Sequence, residues 1–319
     1  MTSRQAIERA RRARIATELA AIHGGVVHRR DLARAGVDRF GIRTEVAAGR
    51  WALAGRHTVV VGAPAPAGIG RGWQAVWESG SGAVLDGAAA LLAAGLTGFE
   101  PAALDVWVPP RSTARPMPGV TLHRYRAAPW VRVGGLPRVV PEWATIHAAQ
   151  WAVSDRQAAL LVCLPVQQRL VPPDRLLAAW ESVGRSPRRE VLSAVIPDVC
   201  DGAQSLGELD FGRWCRRYRL PRPRRQTLRV LDRGRASIAF LDVEFDGLVV
   251  EIDGAQHLFG LTPVEDALRA NDLVLAGKER VLRLPVLGLR LAPDAFMAQV
   301  ARGLGLPAMP NVREDARSA

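Results

Sequence analysis

Four carboxylates fall on one face of a single predicted β-hairpin: Asp242, Glu244, Glu251 and Asp253. Residues 238–245, the Asp246-Gly247 pair and residues 248–254 read as two strands joined by a two-residue turn. That turn sets the register, with Phe245 opposite Leu248, Val243 opposite Val250, Asp242 opposite Glu251 and Phe240 opposite Asp253. Side chains alternate along a strand, so Leu241, Val243, Phe245, Leu248, Val250 and Ile252 make an apolar face and the acids project from the other. Directly opposed residues have Cβ atoms about 4.5–5.5 Å apart, where like charges destabilise the pair. A cation between them turns that repulsion into binding, and carboxylate oxygens suit hard divalent ions such as Mg²⁺, Mn²⁺ or Ca²⁺. A second reading stays open, in which the acids form a solvated face on an exposed hairpin.

The elements around this hairpin must supply its partners. The chain has 319 residues and a formal charge of +12, placed unevenly. Residues 1–50 carry a net +6 and residues 213–235 a net +9, leaving the remainder at −3. Two basic zones on a nearly neutral body point to a polyanion bound by phosphate neutralisation, DNA first among them. In the second zone Arg222, Arg224 and Arg225 are candidate phosphate contacts. Lys278 is the sole lysine, so arginine preference has a compositional cause; its clustering does not.

The first basic zone has helical punctuation. One amphipathic helix is predicted from about Ser3 to Ile22, a short one from Arg29 to Ala35 stopped by Gly36, and a third from Asp38 to Ala48 stopped by Gly49. A strand, turn and strand follow over residues 50–61. Three short helices and a β wing make a winged helix over residues 1–62, whose third helix would enter the major groove and present Arg39 and Arg43, with Arg50 near the wing. A small helical adaptor with a solvated basic face fits the same pattern.

Residues 63–197 read as a middle α/β module without visible chemistry: strands at 105–108 and 119–124, then helices near 142–151, 156–168 and 173–184. His123 and His147 lie in unrelated elements, and each reads as structural. The Trp73/Trp77 pair reads as core. Cys163, Cys200 and Cys215 share no ligand spacing and read as buried small hydrophobes. No segment approaches the ~18 apolar residues of a membrane helix, and Glu8 and Glu18 interrupt the first helix where a signal peptide needs an apolar run, so a cytoplasmic chain with no membrane partner is expected.

Residues 198–308 carry a capping box at Ser205 and Glu208, a helix to about Tyr218, a strand near 226–230, the acidic hairpin, a helix over 263–276, a strand at 281–284 and a last helix from Pro293 to Leu304. The expected fold class is therefore α/β (α+β overall), with an α-β-β-β-α-β-α core like that of restriction endonucleases. Residues 309–319 form a polar tail expected to be disordered.

Residues 205–304 resemble the domain-of-unknown-function family 559, related to very-short-patch repair endonucleases within the PD-(D/E)XK superfamily. The matching residues are Ser205, Glu208, Pro221, Pro223, Gln226, Asp242, the run Val250-Glu251-Ile252-Asp253-Gly254, His257, Asp266, Arg269, Asn271, Gly277 and Arg283. Residues 1–62 resemble the winged-helix domain of AbiEi-type abortive-infection antitoxins. The first resemblance implies a Mg²⁺- or Mn²⁺-dependent endonuclease in which Asp242, Glu251 and Glu208 hold metal, Asp253 lines the site, and His257 positions or deprotonates water. Glu208 could equally serve only as a helix cap, and His257 as an ordinary loop residue. Two departures stand out: Asp253 occupies the usual lysine position, and the hairpin turn is about two residues short. The second resemblance implies the alternative, a DNA-binding repressor or antitoxin with a cognate toxin and a silent endonuclease fold.

Overall fold

The structure is a computed structural model and describes residues 3–115, 117–125, 130–132, 134–201, 211–233, 236–253, 267, 271, 274 and 281–307. The chain divides into two compact units, residues 1–147 and 148–319.

The first unit begins α1 (Ser3–Ala21), β1 (Val26–His28), α2 (Arg29–Arg34), α3 (Arg39–Ala47), β2 (Trp51–Leu53) and β3 (Thr58–Val61). Local chemistry explains the breaks. Gly36 leaves α2 at φ 82°, a left-handed conformation that favours glycine. Asp38 then opens α3, its Oδ1 accepting the Gly41 amide at 2.8 Å. Strand order β1-β3-β2 gives a three-stranded antiparallel sheet, completing the winged helix. Its first strand, three residues long, is too short to carry a period, and the sequence did not show it. Ala16, Ala20, Val27, Leu32, Val37, Ile42, Trp51 and Val59 form the core.

The rest of the unit is α4 (Gly68–Ser79), β4 (Val84–Leu85), α5 (Gly87–Ala93), β5 (Leu104–Trp107), β6 (Val120–His123), β7 (Val131–Arg132), β8 (Arg138–Val139) and the first part of α6 (Pro141–Trp151), which runs past residue 147. The strands make a mixed sheet in the order β6-β5-β4-β8-β7. Trp73 and Trp77 on α4 meet the His23 ring edge-on at 4.6 and 5.2 Å.

The second unit contains α7 (Asp155–Gln167), α8 (Pro173–Glu181), α9 (Arg189–Asp201), α10 (Phe211–Arg217), β9 (Arg225–Arg233), β10 (Ala236–Phe245), β11 (Leu248–Asp253), β12 (Val281–Pro285), α11 (Val286–Leu291) and α12 (Pro293–Gly303). Helix α9 was not expected; it runs across residues 197 and 198 with Pro197 inside it. A proline normally stops a helical pattern, but Leu192, Val195, Ile196 and Val199 recur on one face and are buried, so packing holds the helix through it. All three cysteines are buried, and burial, aided by Cys200 and Asp198, pushes the Cys163 thiol up to about 12.

Strands β9 to β12 form a mixed sheet in the order β12-β11-β10-β9, with β11 and β12 parallel. Ala267, Asn271 and Val274, between β11 and β12 in sequence, are helical. The described order thus follows the expected α-β-β-β-α-β-α plan, with the short α11 added before the last helix. Val243, Phe245, Leu248, Val250, Ile252, Leu282 and Leu284 bury the inner face against Phe211, Phe296 and Met297. Among the described residues no helix is long and apolar enough to cross a membrane.

Candidate functional site

The hairpin register is the one that alternation and the Asp-Gly turn dictate. Phe245 pairs with Leu248, Val243 with Val250, Asp242 with Glu251 and Phe240 with Asp253. Val243, Val250 and Ile252 are fully buried, whereas Asp242, Glu244 and Glu251 are partly exposed, so the carboxylates lie on the face away from the core. Arg225 on β9 stands opposite Glu244, and Arg283 on β12 stands opposite Glu251. The Arg283 Nε donates to Glu251 Oε2 at 3.2 Å.

Arg283 is held in place by a buried amide. Asn271, 2% exposed, donates from Nδ2 to the Arg283 carbonyl at 2.8 Å and accepts the Arg283 amide on Oδ1 at 2.9 Å. Strand β12 lies at the sheet edge, so Asn271 satisfies a peptide that a neighbouring strand would otherwise pair.

Asp242 and Glu251, two hard oxygen donors, stand opposite each other on adjacent strands, with Arg283 already holding one oxygen of Glu251; among the described residues no cluster of three or more metal-ligating side chains forms. Glu208, His257 and the Asp253 side chain lie outside the described residues, as do the Arg225 side chain and the tail 309–319. In the second basic zone Arg222 is exposed, and Arg224 pairs with Asp246 at 2.6 Å beside the hairpin turn.

In the winged helix the arginines separate into two kinds. Arg11 donates to the Gly36 carbonyl at 2.9 Å, and Arg12 and Arg50 converge on the buried Glu45 at 2.8 and 2.6 Å. Arg50, expected near the wing as a DNA contact, is exposed there and pairs with Glu45. Arg39 and Arg43 are both exposed on α3, and among the described residues neither pairs with a carboxylate. With Arg29, Ile42 and Leu53 they line a depression of about 440 Å³. Phe40 beside them is 55% exposed.

Burial would raise the Glu45 carboxyl, but hydrogen bonds and charge from Arg50 and Arg12 outweigh it and hold the group below its ordinary value near 4.5. A carboxyl depressed on folding contributes stability above its unfolded value and loses it as pH falls through the folded one. The melting temperature of residues 1–147 is therefore expected to drop below about pH 4.5, and Glu45→Gln to flatten that dependence. Melting followed by circular dichroism between roughly pH 3 and 7 measures both.

A polar cluster in the middle of the first unit was missed by the sequence reading. Asp86, fully buried, caps α5 through the Gly87 amide at 2.7 Å, accepts the Tyr125 hydroxyl at 2.7 Å and meets His147 Nδ1 at 2.8 Å. Burial, then the Asp86 charge and hydrogen bond, push the Tyr125 hydroxyl pKa up. On the neighbouring strands His123 Nε2 meets Asp105 Oδ1 at 2.7 Å. His123 and His147, which read as unrelated, each stand on an aspartate within one module. The available signal was Asp86 itself, an acid inside the apolar run 83–93.

A scan against protein-family models finds no match for this chain, and a search of curated proteins finds none. Among solved structures, the crystal structure of the Rv2827c protein from Mycobacterium tuberculosis is similar over 60% of this chain and 76% of that one, at 21% identity and a TM-score of 0.35. That likeness is too slight to carry over a role.

Proposed function

We propose that this chain is a DNA-binding protein that docks α3 in the major groove and cleaves DNA phosphodiester bonds at the acidic hairpin with Mg²⁺ or Mn²⁺. The cleavage half rests on one observation, the register that sets Asp242 directly across from Glu251 on the solvent face of a sheet whose other face is core. Like charges set directly opposite each other on a hairpin favour a cation between them; here Arg283 already meets Glu251. The resemblance of residues 205–304 to endonuclease-like proteins points the same way.

In this reading Asp242 and Glu251 hold the ion, Glu208 adds a carboxylate, Asp253 lines the site and His257 takes a proton from the attacking water. The bound ion would polarise the phosphoryl oxygen and lower the pKa of coordinated water. In this reading the Arg283 guanidinium, on a strand whose peptide Asn271 holds, takes a phosphate oxygen when it leaves Glu251.

The Arg283–Glu251 pair also favours a second reading, in which the arginine neutralises the carboxylate permanently and the fold is silent. The protein would then be a repressor or antitoxin acting through α3, with a toxin as partner. Asp253 at the usual lysine position supports it. Incubating the full chain with supercoiled plasmid, with and without Mn²⁺, separates the two: the nuclease converts plasmid to nicked or linear forms only with the ion. DNA reading by α3 has its own expected result. Arg39→Ala with Arg43→Ala weakens duplex binding and lowers the slope of log affinity against log salt by about 0.9 per lost phosphate contact. An unchanged slope removes α3 as the reader.

A further inference from the structure

A second basic cleft lies beside the wing, and neither the winged-helix reading nor the hairpin accounts for it. It measures about 1040 Å³ and is lined by Arg56 and His57 from the β2–β3 loop, Gln74 and Glu78 from α4, and Arg111 and Arg115 from the segment after β5. Arg56, Arg111 and Arg115 are exposed. The single acid in the lining, Glu78, is committed elsewhere: it accepts the Arg56 amide, the His57 amide and the Thr58 hydroxyl, each at 2.8 Å. Gln74 Nε2 donates to the Ala54 carbonyl at 2.6 Å. Helix α4 thus grips the wing loop, and Arg111 and Arg115 line the same cleft. Ser79, 1% exposed, also lines the cleft, and its hydroxyl has no partner among the described residues.

Both depressions border the wing. Leu53 lines the depression that holds Arg39 and Arg43, and Ala54, the next residue, lines this cleft. Arginine side chains around an open polar cleft match phosphate oxygens, and a row of them matches a backbone that carries one charge per ~1.7 Å of duplex axis.

We propose that this cleft is a second phosphate-binding track, which extends the duplex footprint beyond the groove read by α3. The proposal rests on the DNA-binding reading above. It makes the 111–118 segment a clamp on flanking backbone, with no part in base readout.

Binding by the full chain to fluorescein-labelled random-sequence duplexes of about 12 and about 32 base pairs, roughly one and three helical turns, tests it across a salt series. Arg111→Ala with Arg115→Ala is expected to lower the log–log salt slope by about 1.8 on the long duplex and by far less on the short one. Between roughly 50 and 200 mM salt the wild type then loses about tenfold more affinity than the variant on the long duplex. The double Lys variant keeps the charge and should keep the slope, which separates electrostatics from a folding defect. Ala and wild-type slopes that coincide on the long duplex, while Arg39→Ala with Arg43→Ala still lowers them, overturn the track and leave α3 reading intact. A wild type that binds neither duplex overturns both.

Discussion

If the acidic hairpin is a nuclease site, Glu251→Ala is expected to abolish Mn²⁺-dependent cleavage, and His257→Ala to slow it by about 10²–10⁴-fold while leaving DNA affinity and Mn²⁺ affinity nearly unchanged, the range for loss of a general base. The two substitutions separate holding the ion from moving the proton. Linkage gives an independent readout: an ion that binds only the folded state at a hundredfold excess over its Kd adds about 2.7 kcal/mol, so millimolar Mn²⁺ should raise the wild-type melting temperature. Asp242→Ala should lose that response. Equal Mn²⁺ responses from wild type and Asp242→Ala remove the metal centre. Arg283→Ala discriminates the two functional readings further. If Arg283 serves phosphate, activity falls and Mn²⁺ binding tightens as Glu251 is released; if it only neutralises Glu251, the acidic face is destabilised without any activity to lose.

The second large effect is on stability. Asp86→Ala leaves the Gly87 amide, the Tyr125 hydroxyl and the His147 Nδ1 group without their common acceptor in a buried site. Removing one partner from a buried charged network costs about 3–5 kcal/mol, so the melting temperature of the first unit should drop by roughly 10 °C. Asp86→Asn keeps one acceptor oxygen but turns a donor toward the same partners, and should fall between wild type and Ala. Melting of the full chain by circular dichroism, with near-ultraviolet signal from Tyr125 and the nearby Trp107 and Trp143, reports the loss locally. An Asp86→Ala protein that melts with wild type would show that the cluster's hydrogen bonds contribute no net stability.

What could be read from residues alone was local. The Asp246-Gly247 turn and strict alternation determined which residues face each other on the hairpin, because a slip of one position would expose Val243, Val250 and Ile252 and bury the acids. Gly36, Asp38 and Gly49 bounded α2 and α3 to within a residue, since capping and left-handed backbone are decided by the residue itself and its nearest neighbours. Helix α9 escaped that logic where Pro197 masked a buried apolar face that only packing reveals.

The pairing partners of the charged residues are set by contacts between distant positions. Arg12 meets Glu45 across 33 residues, Arg283 meets Glu251 across 32, and His147 meets Asp86 across 61. Arg39 and Arg50 look alike as letters in a basic run and both are exposed, yet of the two Arg50 is tied to a buried carboxylate. Composition fixes how much charge the chain carries. Which charges turn outward toward a phosphate and which are spent inside depends on the acids that packing brings alongside them, because a carboxylate such as Glu45 or Asp86 can be buried only where donors converge on it.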